Sequence, residues 1–297
     1  MTRRPATRQL AELPTHKLTT MATLIIAELT LRETQRRRIL WVALLLGLGF
    51  LAIFALGFHY IYVDVTQHIR DPAEIDLIVG LLLTAGLYAT NFLIMLMAVL
   101  ISVTTISGEI DSHTIETLLT KPMRRWEVVL GKWLAFAAML LFYIILLAGG
   151  LMLIAYLRSG FLFQNIPAGL SLMVLQGLIV LSITIAGGTR FSTLANGVLA
   201  FMLYGIAFLG GWIEQIGALL RNETAVNIGI ATSLIMPGEI LWKKALTLFQ
   251  PRFTNTPFMA GPFAVASQPS DLMIVYAFVY MMALLALALV TFSRRDL

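Results

Sequence analysis

The sequence predicts an all-α, polytopic integral membrane protein with six transmembrane helices, preceded by an N-terminal interfacial amphipathic helix. Three observations carry that expectation. Hydrophobic residues make up 59% of the 297 positions and charged residues only 12%, against roughly 25% charged in a soluble domain. Mean hydropathy is +0.86 over the whole length. Six apolar runs alternate with polar connections, and most are long enough to cross a hydrocarbon core of roughly 30 Å.

Residues 1–17 are polar and basic and read as a disordered tail. Arg3-Arg4 is not followed closely by the apolar region and cleavage site of an export signal. Residues 18–38 turn helical and amphipathic, with Leu24, Ile25, Ala27 and Leu31 set against Glu28, Arg32, Glu33 and Gln35. The segment ends in Arg36-Arg37-Arg38, suited to phosphate headgroups, so it is placed in the interface. The six-span region is 39–297. Its spans are expected at about 39–62, 77–106, 134–157, 170–186, 194–213 and 272–292. Asp64 to Asp76 reads as a short acidic loop, and Gly187 to Thr193 as a tight one.

Lysine and arginine fix the orientation. Fifteen lie on the side holding both termini, against two in the short loops opposite. That bias puts the termini in the cytoplasm.

Residues 107–132, between the second and third spans, are the most unusual stretch. With Trp133 they form SGEIDSHTIETLLTKPMRRWEVVLGKW, which carries eight of the chain's 37 charged side chains. A segment so charged cannot lie in hydrocarbon and belongs in water at the membrane face. Ile110, Ile115, Leu118 and Leu119 fall near one side of a helix that Lys121-Pro122 stops. Arg124-Arg125-Trp126 starts another. This is a surface built to meet something in the cytoplasm.

The connection 214–270 is too apolar for a free linker. Pro237, Glu239, Lys243 and Lys244 nevertheless argue against a seventh span, which would also carry Arg294-Arg295 to the wrong side. Two short helices broken at Pro237-Gly238 are expected, lying at the outer surface or dipping part way in. An ordinary interfacial loop helix fits the periodicity equally well.

Catalytic chemistry is hard to place. The absence of cysteine removes disulfides, thiolate metal sites and cysteine nucleophiles. There is no GxxxxGK[ST] phosphate loop and no GxSxG elbow. The spans hold almost no ionisable residue. His59 and Glu214 sit at outer ends and read as solvated, which argues against ion-coupled transport through midplane carboxylates. The polar residues of the second span, among them Thr84, Tyr88, Thr90, Asn91 and Ser102, read as helix-packing groups ahead of a substrate-lining face.

On these residues the chain resembles the permease subunits of type-2 ABC transporters, the group that includes the nitrous oxide reductase maturation permease. The segment after span two in that family is matched by Glu109, Thr114-Ile115-Glu116, Leu118-Leu119-Thr120, Pro122, Arg124-Arg125 and Gly131-Lys132. His113 departs from it, where most members carry glycine. The loop at Gly188–Asn196, the stretch PGEILWKKAL and the terminal FSRRDL look like the family as well.

The resemblance implies that residues 107–132 are a cytoplasmic coupling helix docking on a separate ATP-binding subunit. Glu109, Asp111, Thr114, Glu116, Leu118, Leu119, Pro122, Arg124 and Arg125 would make that contact or anchor it, with Gly187–Thr193 as a smaller one. Pro237, Gly238 and Glu239 would belong to an outer gate. The chain would hold no cofactor and catalyse nothing, ATP and magnesium being bound by two ATPase copies. A second permease chain, identical or related, would complete the pathway, in the cytoplasmic membrane of a bacterium. Export is the expected direction. The rival readings are a lipid-modifying membrane enzyme and an ATPase-coupled scaffold or mechanotransmission subunit that moves no solute.

Overall fold

The computed structural model describes residues 15–36, 38–103, 124–250, 265 and 269–294. Among them every regular element is helical. The helices are α1 (Thr15–Arg36), α2 (Arg38–His68), α3 (Pro72–Val103), α4 (Arg125–Ser159), α5 (Ile166–Gly188), α6 (Thr193–Leu219), α7 (Glu223–Ile235), α8 (Gly238–Phe249) and α9 (Asp271–Ser293). The chain is an all-α polytopic membrane protein. Six helices, α2 to α6 and α9, are long and apolar enough to cross a bilayer.

Two helices form the core. In the most apolar window of α3 and of α5, 67% of residues are buried, against 17% in α2. α5 is apolar all round, as a helix enclosed by others must be. Small residues let its neighbours close in. A Cβ at Gly177 would stand 2.6 Å from Leu140 Cδ2 of α4. Hydroxyls satisfy one another across the core, as in the Ser102–Thr184 bond between α3 and α5. Trp133 Nε1 donates to Ser182 Oγ at 3.0 Å. Thr84, Thr90, Asn91 and Ser102 of α3 are all buried between helices.

Several elements depart from the sequence reading. The acidic loop shrinks to 69–71, because α2 continues through Asp64 to His68 and α3 begins at Pro72. Proline at the first helical position surrenders no hydrogen bond there. Helices of 31 and 35 residues, α2 and α4, extend about 46 and 52 Å, beyond the hydrocarbon at one end or both. α4 also contains a π-helical turn, Ile145–Gly149. Beside this turn Gly150 accommodates Leu51, and Tyr143 Oη donates to the Ala43 carbonyl at 3.0 Å, tying α4 to α2.

The buried face of α1 is also different. Thr23, Ile26, Ala27, Thr30 and Thr34 turn inward, while Leu24, Ile25 and Leu29 stay exposed. The reason is Gly131. A Cβ there would meet Ile26 Cβ and the Thr23 carbonyl at 2.8 Å, so glycine allows α1 to cross the start of α4 with backbones nearly touching.

Candidate functional site: the re-entrant hairpin

Between the fifth and sixth spans, α7 and α8 form a hairpin bent by 105°. Asn222 opens it, its Oδ1 accepting from the Ala225 N–H at 3.1 Å. Met236 is extended, and Pro237 stops α7 and precedes the first turn of α8. Helices of 13 and 12 residues are each only about 20 Å long. Bent so sharply, they enter and leave on the face opposite the termini.

The hairpin is not a surface element. Phe249 packs on Gly169 near the start of α5, whereas Gly238 packs on Gln176. Gln176 lies about 10 Å further along that helix, near the midpoint of its 23 residues, so the tip reaches about halfway down α5. α7 descends against α6 through glycines on both helices. A Cβ at Gly229 would lie 2.8 Å from the Gly210 carbonyl, and one at Gly217 would lie 2.6 Å from Ala225 Cβ.

Polar contacts fasten the hairpin on every side. From α9, Tyr276 Oη donates to the Leu234 carbonyl at 2.6 Å and Tyr280 Oη to the Ile235 carbonyl at 2.8 Å. These are carbonyls that the end of α7 would otherwise leave unpaired. Lys244 Nζ reaches Asp271 Oδ1 at 2.6 Å and the Pro269 carbonyl at 2.8 Å. At the foot of α8, Thr84 Oγ1 lies 3.0 Å from Gln250 Oε1, and the Gln164 N–H donates to the Phe249 carbonyl at 3.0 Å.

Three ionisable side chains are sealed where the hairpin meets α6. Glu214 is 7% exposed, Lys243 3% and Glu239 2%. Lys243 Nζ donates to Glu214 Oε2 at 3.0 Å and to the Gly211 carbonyl at 3.1 Å. Among the described residues, Glu239 Oε2 and both amide atoms of Gln176 have no hydrogen-bond partner. Tyr88 packs edge-on against Trp242 with ring centroids 5.1 Å apart. The solvated Glu214 of the sequence reading is therefore corrected: it is buried and paired. Its partner, Lys243, lies 29 residues away on another element.

On the opposite face, Arg124 and Arg125 stand at the start of α4, where Glu127 Oε2 accepts the Arg124 N–H at 3.0 Å. Lys132 is buried about two turns on. Glu109, Asp111, Thr114, Glu116, Leu118, Leu119 and Pro122 lie outside the described residues. The described part brings Pro237, Gly238 and Glu239 together at the buried break of the hairpin.

The family described as ABC-2 family transporter protein matches residues 24–297. The chain belongs to the ABC-2 transporter family. No curated protein matches it. As an ABC-2 permease it is a membrane component of an ABC transporter, a family whose permeases generally work with ATP-binding subunits. Among its described residues no group of three or more His, Asp and Glu side chains could hold a metal ion. What the hairpin of this ABC-2 permease can do is electrostatic and mechanical. It is a wedge in one half of the bundle, held by two ion pairs, a few hydrogen bonds and glycine-mediated packing.

The sequence carried a signal for the missed pair. Glycines 210, 211, 217 and 229 sit on two adjacent apolar helices, the pattern of a close helix crossing. Such a crossing leaves no room for water at Glu214.

Proposed function

We propose that this chain exports its cargo across the cytoplasmic membrane, driven by ATP hydrolysed on a separate nucleotide-binding subunit. The observation that carries the reading is the ABC-2 match over residues 24–297, in a chain with no phosphate-binding loop of its own. It binds no cofactor, and ATP and magnesium belong to the partner. Both termini lie in the cytoplasm.

In this reading residues 107–132 dock on the ATPase. Glu109, Asp111, Thr114 and Glu116 face its polar groups, Leu118, Leu119 and Pro122 fill its groove, and Arg124 and Arg125 anchor at lipid headgroups. Two ATPase copies serve two permease chains, identical or related. The largely exposed apolar faces of α2 and α6 support a pairing of permeases there. Closure of the ATPase dimer does work because its affinity differs between the two membrane conformations. The hairpin at Pro237, Gly238 and Glu239 is the outer gate, and its wedge position between α3, α5, α6 and α9 supports that assignment.

The test is co-purification from the native host followed by reconstitution in vesicles. A stoichiometric ATPase that is lost when Glu109 and Glu116 are replaced, with ATP-dependent solute flux, is the expected result. Hydrolysis without flux would instead favour a force-transmitting subunit, and no co-purifying ATPase would overturn the reading.

A further inference from the structure

We infer that Glu239 is a single-proton binding site that links closure of the hairpin to pH on the outer face. The inference rests on reading the hairpin as the outer gate. Its basis is a mismatch of charge among sealed groups. Two carboxylates, Glu214 and Glu239, share one ammonium, Lys243, and the geometry gives that ammonium to Glu214 and the Gly211 carbonyl. Among the described residues Glu239 Oε2 is left without a hydrogen-bond partner, at 2% exposure. An ionised carboxylate so placed is costly, and real groups escape the cost by taking a proton.

The surroundings offer little else to bind. A Cβ at Gly211 would stand 3.0 Å from Glu239 Oε1, so packing against α6 is already close. α3 presents Tyr88, and α6 presents Tyr204 and Glu214. α8 itself presents Lys243. α5 contributes Gln176 and no titratable group. α7 carries only Glu223, at its far end, and α9 meets the hairpin through Asp271, Tyr276 and Tyr280. Every one of these titratable groups except Lys243 is neutral or negative at pH 7, and Lys243 is already engaged. A proton is the ligand that neutralises the site without needing a cavity.

The step is a simple acid–base exchange. One Glu239 carboxylate oxygen gains a proton from water when the hairpin closes, and gives it back to water when opening hydrates the carboxylate. The closed state binds the proton more tightly. Acid on the outer face therefore holds the hairpin shut, and opening becomes easier as pH rises until the closed-state carboxyl itself ionises.

Infrared difference spectroscopy on the full chain in lipid vesicles tests this directly. With pH stepped from about 5 to 8, spanning the usual carboxyl and imidazole ranges, a protonated-carboxyl band should fade in the wild type. It should be absent in Glu239→Gln, which is isosteric with the protonated form and keeps the packing. In Glu214→Gln the freed Lys243 can turn to Glu239, so the band should weaken. No titrating band, or one that survives in Glu239→Gln, overturns the site. A spin-label pair at positions 228 and 278 reads the hairpin. The open-to-closed ratio should rise by up to about tenfold per pH unit for one linked proton and stay flat in Glu239→Gln. A flat wild-type response overturns the link to closure. The infrared arm needs neither ATPase nor cargo. A positive band with no transport would therefore sink the export reading and leave the proton site standing.

Discussion

Lys243 Nζ lies 3.0 Å from Glu214 Oε2, and both side chains are buried. This ion pair joins the second helix of the hairpin to the C-terminal half of the fifth span. Removing Lys243 strands the Glu214 charge in a dry site. Lys243→Met should cost about 3–5 kcal/mol, seen as a lowered melting temperature in detergent, and Glu214→Gln less, because the freed Lys243 can turn to Glu239. The double variant should recover part of that loss. A double-mutant cycle showing simple additivity would mean that the two charges do not interact.

Tyr276 and Tyr280 hold the end of α7 from the sixth span through the Leu234 and Ile235 carbonyls. Replacing either with phenylalanine removes one hydrogen bond, a change of about 0.5–1.5 kcal/mol. Hydrogen exchange should quicken at the amides around the Pro237 break and remain unchanged in α3 and α5. Uniform acceleration would show instead that the tyrosines support the whole bundle.

Gly131 is the point at which α1 crosses α4. Gly131→Val must push α1 away, because the new Cβ would meet the Ile26 side chain and the Thr23 carbonyl at 2.8 Å. An overpacked contact of this kind costs about 1–3 kcal/mol. A spin label on α1 should move relative to one on α4, whereas Gly57→Val, where nothing stands within 4 Å, should leave the fold unchanged. Equal tolerance at both positions would contradict the crossing.

The chain has no cysteine, so single cysteines report topology without background. Cysteines at Asp71 and Ser112 should be labelled by a membrane-impermeant reagent from opposite sides. Labelling from the same side would break the six-span arrangement. Glu116→Lys, in the same charged segment, should abolish ATP-driven activity while membrane insertion stays normal.

What the sequence by itself determined follows from solvent. Hydrocarbon demands long apolar helices, and water demands the charges, so composition and run length mark out a six-span all-α membrane protein. The break at Pro237-Gly238 was one of two readings that the periodicity allowed, and proline forces it locally. Other features depend on partners remote in sequence. The stretch 64–76 became helical apart from residues 69–71, because helix ends can stand in water beyond the membrane. The inward face of α1 was decided by a glycine more than a hundred positions away. Glu214 looked solvated because it lies near the end of a span; the tertiary structure buried it by folding the hairpin back along that span. Whether a charge is wet or sealed depends on which helix is packed over it, and in an apolar chain nearly every face is equally able to pack. Periodicity therefore does not choose among them, and the tertiary arrangement alone brought Glu214, Lys243 and Glu239 into one buried site.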